Sequence, residues 1–320
     1  MIMVIMFKYG RRIAVPLLMA MAAGCAGMLG TGCSAPPGSG GPPLGDGRPQ
    51  IVASIYPLAY LVAAIAGDKA DVTTLVPPGT EPHDYELTPG QVASLNKAAL
   101  VVYQAGVTAA VDQAVAASTV TFVETGSLVP RLPLTGDEVA DPSAQAYGED
   151  PHTWLDPANM VVFAAAIATA MAFIDPADAA TYQANAATVE TNLRALDAGY
   201  RSGLANCQRT EFLTTHAAFG YMAKAYGMTQ LAIAGVTPED EPSPRRLAEL
   251  AQQARTDGLT TVFFETLVSP DYAKTMADDL GLRTDVLDPI EAVTKASRGT
   301  DYMAIMASNL VALREANGCQ

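Results

Sequence analysis

After Pro176 the chain runs to about Leu204 without another proline, and its only glycines, Gly199 and Gly203, come late. A run of ~29 residues makes ~43 Å of helix at 1.5 Å per residue. An unbroken helix of that length divides the chain and sets its architecture. On its N-terminal side, β-like runs at 51–54, 72–76, 100–103 and 119–123 alternate with helix-like stretches at 58–66, 91–96, 109–117 and 157–173. On its C-terminal side, β-like runs at 212–214, 229–232, 262–264 and 284–287 alternate with helical stretches at 217–226, 244–255, 270–280 and 300–315. Alternation of this kind predicts an α/β fold with mostly parallel sheets. Two α/β lobes joined by a single long linking helix is the architecture expected. The predicted division is 50–174 for the first lobe, 175–206 for the linking helix and 207–320 for the second lobe.

Composition narrows the class. Half of the 320 residues are hydrophobic and only 16% are charged, which excludes a disordered chain and permits a large core. The net charge of −14 argues against a cationic binder of nucleic acid or of an anionic membrane surface.

The N-terminus reads as an export signal. Lys8, Arg11 and Arg12 precede an apolar run from Ile13 to about Leu29 that Gly24, Gly27 and Gly30 interrupt. Residues 1–32 are therefore assigned as a signal peptide and 33–49 as a flexible tether. Of the residues from Ser34 to Pro49, 12 of 16 are Pro, Gly or Ser, a composition that cannot build a core. Cys33 opens this tether, and a cysteine at that place fits lipid acylation, with Cys25 as the alternative. The chain is thus expected outside the cytoplasm, held to the outer face of the membrane by a lipid alone, or free if unacylated. No stretch after the signal reads as a membrane span. Cys207 and Cys319 remain as an even pair in an oxidising compartment, for which a disulfide is the natural state.

The chain has three histidines, and each sits in a loop or at a strand end. His83 follows the Pro77–Pro78–Gly79 turn within Glu81-Pro82-His83-Asp84-Tyr85-Glu86. His152 closes a long polar loop, 128–150, within Asp150-Pro151-His152-Thr153-Trp154-Leu155-Asp156. His216 directly follows a strand within Thr215-His216-Ala217-Ala218-Phe219-Gly220. Ligands gather at the carboxyl ends of strands in open α/β sheets, and imidazole suits zinc, copper or nickel. Asp84, Asp150 and Asp156 could orient the rings. A histidine taken alone is more often a satisfied core or surface residue than a ligand, and no H-E-x-x-H or Cys-x-x-Cys motif marks a site. Two carboxylates at strand ends, Asp288 in Leu287-Asp288-Pro289 and Glu265 in Phe264-Glu265-Thr266, are candidates for a fourth ligand or for plain capping roles.

These segments, with Thr88-Pro89, Asp156-Pro157 and Tyr221, resemble the metal-binding segments of the cluster A-I substrate-binding proteins of ABC importers. The resemblance runs from about Ile51 to the C-terminus. It implies two α/β lobes with a metal in the cleft, held by His83 and His152 from the first lobe and His216 and Asp288 from the second, with Glu265 the lesser candidate. Histidine rather than glutamate at position 216 resembles the zinc-type set. The implied function is a high-affinity extracytoplasmic zinc receptor, not an enzyme, that delivers Zn²⁺ to the ABC permease of a zinc importer. A manganese or other divalent receptor is the alternative, with Mn²⁺ as the competing ion. A metallochaperone is a further possible partner, nucleic acid is not, and a monomer is expected. Two other readings stay open at this point. A zinc hydrolase would use Glu265 as general base, and a surface adhesin would hold its metal structurally.

Overall fold

The computed structural model describes residues 47–134, 148–238, 242–267 and 269–320. The signal peptide, nearly all of the tether, Cys25, Cys33 and the middle of the 128–150 loop lie outside the described residues.

The first half builds β1 (Gln50–Ala53), α1 (Tyr56–Ala66), β2 (Asp71–Thr74), α2 (Pro89–Lys97), β3 (Leu100–Tyr103), α3 (Ala109–Ala117) and β4 (Phe122–Glu124). Its four strands lie in the order β2-β1-β3-β4, every pair parallel. Central strands covered on both faces must be apolar throughout, as Ile51–Val52–Ala53 and Leu100–Val101–Val102 are. A short antiparallel ribbon follows, β5 (Leu132–Pro133) with β6 (Glu149–Asp150). The second half builds β7 (Glu211–Thr214), α6 (Gly220–Tyr226), β8 (Thr229–Ala232), α7 (Pro244–Thr256), β9 (Thr261–Phe264), α8 (Asp271–Leu280), β10 (Arg283–Val286) and α9 (Tyr302–Asn317). Its sheet, β10-β9-β7-β8, is again all parallel. In both sheets the strands, counted in chain order, lie second-first-third-fourth.

Two helices follow the first sheet in the chain. The first, α4 (Pro157–Ile174), starts where Asp156 accepts a hydrogen bond from the Ala158 N–H and Pro157 takes the first helical turn. By length and composition α4 could cross a membrane, contrary to the sequence reading, but half of it is buried in this fold and it serves as a core helix. The second, α5 (Ala179–Gly203), is the long helix. It begins at Ala179, and its 25 residues span ~37 Å. Its buried residues, Tyr182, Ala186, Val189, Leu193, Leu196 and Tyr200, recur at three- and four-residue spacing, which gives one apolar stripe. That stripe packs on α1, α4 and α9, so one continuous apolar cluster reaches from β1 in the first half to α9 in the second.

A disulfide joins Cys207, after α5, to Cys319, after α9. Backbone hydrogen bonds knit the same place. Gln208 and Arg209 N–H both donate to the Asn317 carbonyl, and Gln320 N–H donates to Asn206.

The start of α2 is a reciprocal cap. Thr88 Oγ1 accepts from the Gln91 N–H at 3.3 Å, and Gln91 Oε1 accepts from the Thr88 N–H at 2.9 Å. Gln91 also bonds Tyr85 and the Leu75 carbonyl, so the cap fixes one end of the loop that carries His83. Thr88→Ala is expected to lower unfolding free energy by ~1 kcal/mol, read as a fall in the urea midpoint at unchanged slope.

Candidate metal centre

The three histidines meet. His83 stands in the loop after β2, His152 follows the β5–β6 ribbon, and His216 follows β7, one of the two central strands of its sheet. Their ring centroids lie 5.3 to 6.3 Å apart. The fourth group among them is Glu291, and one ligand atom from each of the four lies within 4.8 Å of the others. His152, His216 and Glu291 are fully or almost fully buried, and His83 is 5% exposed.

The spacing is informative. His83 Nε2 is 3.3 Å from His152 Nε2. Glu291 Oε1 is 3.4 Å from His83 Nε2, 3.2 Å from His152 Nε2 and 3.5 Å from His216 Nε2. A tetrahedron with metal–ligand bonds of ~2.0–2.1 Å has edges of ~3.3 Å. Two imidazoles come from the first half, and an imidazole and a carboxylate come from the second. Three imidazoles and a carboxylate are a donor set that suits a borderline divalent ion.

Buried carboxylates orient the rings from behind. Asp150 Oδ1 lies 2.8 Å from His152 Nδ1 and also accepts the His152 N–H. Glu265 Oε1 lies 2.6 Å from His216 Nδ1, a close charge contact off the line of a good hydrogen bond, and also accepts the His216 N–H and the Thr215 hydroxyl. These contacts leave Nε2 of His152 and of His216 for the cluster. The two halves meet at Asp150 as well. Tyr221 of α6 donates to the Asp150 carbonyl and accepts from the Leu132 N–H. A Cβ on Gly220 would come within 2.7 Å of Asp150 Oδ2, so glycine at the start of α6 lets the aspartate approach without a shift.

Electrostatics follow from this packing. Burial alone pushes imidazole towards neutrality, and at His83 burial prevails, so its pKa is lowered. At His152 burial also opposes charge, but Asp150 and Glu291 outweigh it and the pKa rises. At His216 the same contest, against Glu265 and Glu291, ends well above the ordinary histidine range. Burial would raise the Glu291 carboxyl, but the three imidazoles hold it well below the usual range.

The carboxylate that stands among the three rings is Glu291, not Asp288 or Glu265. Asp288 is buried near the cluster but stands outside the group of four. Its Oδ1 accepts the Ile290 N–H at 2.8 Å, and its backbone is held by Asn309. Burial raises its pKa. Glu265 backs His216 rather than joining the four. Glu291, which the sequence reading passed over, stands three residues beyond Asp288 in Asp288-Pro289-Ile290-Glu291. The second carboxylate in that short segment was the available signal.

The family described as zinc-uptake complex component A, periplasmic (ZnuA), matches residues 51–316. The chain belongs to this family. Among curated ZnuA-type relatives, the zinc-binding lipoprotein AdcA of Streptococcus pneumoniae is 34% identical over 281 residues, covering 84% of this chain and 56% of that protein. The chain thus spans little more than half the length of that relative. The high-affinity zinc uptake system protein ZnuA of Bacillus subtilis is 31% identical over 276 residues, covering 83% of this chain and 86% of that protein. The solved structure of the Zn(II)-bound ZnuA-like domain of Streptococcus pneumoniae AdcA superposes with a TM-score of 0.72 at 32% identity, covering 85% of this chain and 99% of that one.

Proposed function

We propose that this chain is an extracytoplasmic zinc receptor that binds one Zn²⁺ through His83, His152, His216 and Glu291 and hands it to an ABC importer. Residues 50–174 and 207–320 act as the two lobes, with 175–206 as the strut between them. The observation that carries this reading is the set of four buried donors that converge within 4.8 Å, Glu291 Oε1 lying 3.2 to 3.5 Å from all three Nε2 atoms. Three neutral imidazoles and one carboxylate leave a bound Zn²⁺ with a net charge of about +1. The relatives that are named for zinc binding and zinc uptake support the same ion. Mn²⁺, which prefers oxygen ligands, is the poorer match to three imidazoles. Four protein donors would close the shell and leave no position for a metal-bound water, which speaks against the hydrolase reading. Acylation at Cys33, or at Cys25, would hold the receptor at the membrane beside its permease.

The ion enters a folded protein. The apolar cluster that unites the halves does not depend on the metal, so chelator-stripped protein keeps its far-UV circular dichroism and still unfolds cooperatively. Adding zinc then raises the unfolding midpoint by mass action. A structural metal, as in the adhesin reading, would instead leave stripped protein unfolded. Binding must also displace protons. The pKa of His216, and that of His152, is raised in the folded protein, so their protonation favours the metal-free fold most strongly below pH ~6.5. That contribution disappears as pH rises through their raised values. Zinc affinity therefore climbs with pH across neutrality, and it declines from well above pH ~6.5 as pH falls. Calorimetric titration in buffers of different ionisation enthalpy is expected to show net proton release at about pH 7. Zinc binding without proton release at that pH would refute the upward shift at His216 and His152.

A further inference from the structure

Ile290 has φ = 60° and is the one non-glycine residue with positive φ among the described residues. It is β-branched and fully buried, and it directly precedes Glu291. A β-branched residue in the left-handed region is strained, and such strain persists only where the surroundings over-determine it.

The surroundings are specific. Asp288 Oδ1 accepts the Ile290 N–H at 2.8 Å. The Asp288 backbone is gripped from α9 at both ends, its N–H by Asn309 Oδ1 at 3.0 Å and its carbonyl by Asn309 Nδ2 at 2.7 Å. The next carbonyl, that of Pro289, accepts Trp154 Nε1–H at 2.8 Å from the other half of the molecule. Thr266 Oγ1 contacts Asp288 Oδ2 at 3.4 Å. The turn is thus held by α9, by the segment that carries His152 and by its own aspartate.

We propose that Asp288 is a positioning residue: its carboxylate locks the left-handed turn at Ile290 and so delivers Glu291 to the three imidazoles already oriented. This rests on the zinc-site reading above. Without the lock, Ile290 relaxes to negative φ and swings the following carboxylate out of the cluster. Only the fraction of molecules with the turn formed then binds with full affinity. Asp288 acts through its hydrogen bonds, with Ile290 first and with the Thr266 and Ser297 hydroxyls beside it, rather than through its charge, so an asparagine whose oxygen keeps the Ile290 bond can serve.

The test is a double-mutant cycle on zinc affinity, measured by competition with a chelating dye, with unfolding of the metal-free protein followed in parallel. Asp288→Ala is expected to weaken zinc binding by about 10-fold. Asp288→Asn should restore most of that loss. Asp288→Glu, which keeps the charge but overshoots the Ile290 N–H, should not, and it serves as the second variant if the alanine form does not fold. In a Glu291→Ala background, Asp288→Ala should cost less than about 2-fold more, because nothing remains to be positioned. An equal loss in both backgrounds, or rescue by Glu but not Asn, would overturn the proposal and make Asp288 a ligand or a general structural prop. Glu291→Ala at wild-type affinity would instead overturn the site itself, and the proposal with it.

Discussion

Alanine at His83, His152 or His216 is expected to lower zinc affinity by on the order of 100-fold or more. Loss of an outer partner of a metal ligand typically costs about 10–100-fold, so loss of the ligand itself should match or exceed the upper end. Dye-competition titration at about pH 7.5, where free imidazole is neutral, separates the two classes. Asp150→Ala, which removes only the group behind His152, should fall within the lower band. The three histidine variants differ in their effect on the fold. His83 makes no close contact to a supporting carboxylate through Nδ1, whereas His216 lies against buried Glu265. His216→Ala takes from that buried carboxylate the imidazole it faces, leaving only the Thr215 hydroxyl and the backbone N–H, and should lower the stability of the metal-free protein as well. His83→Ala should mainly remove zinc. Wild-type affinity in any one variant would remove that ring from the site.

Reducing the Cys207–Cys319 disulfide, or replacing both cysteines with serine, is expected to lower unfolding free energy by on the order of 4 kcal/mol. The cysteines are 112 residues apart, so the crosslink removes much of the freedom of the unfolded chain. The folded state should change little, because the Gln208, Arg209 and Gln320 backbone bonds remain and still seat the end of α9. The effect should therefore appear as a lower urea midpoint with a steeper slope, since a freer unfolded chain exposes more surface. Zinc affinity should be unchanged, because neither cysteine belongs to the cluster. A loss below about 1 kcal/mol would mean that the reduced unfolded chain is already restricted.

Local patterning made most of the secondary structure readable. The runs at 100–103, 109–117 and 229–232 fold with the bounds their apolar pattern indicates, and the others shift by a few residues. The largest useful discrepancy lies after β7. The pattern suggests a helix from Ala217, yet α6 begins at Gly220. The intervening backbone is committed elsewhere, with Ala217 N–H on the Gly235 carbonyl and Phe219 N–H on Gln230 Oε1. Those long-range bonds hold His216 in a non-helical segment, and no window of local sequence carries them. The membrane-length apolarity of α4 is a similar case, because its neighbours α1 and α5 decide that it is a core helix.

Sequence alone determined the alternation of strands and helices, the long dividing helix and the three histidines at strand ends or in proline-marked loops. These are set by residue type and short-range periodicity. Tertiary structure alone decided which carboxylate completes the cluster. Asp288 and Glu291 are three residues apart and chemically alike, but Asn309, Trp154 and a left-handed Ile290 turn one towards the backbone and the other towards the rings. Those contacts come from residues distant in the chain, so the choice between two neighbouring acids is made only when both halves of the molecule have packed.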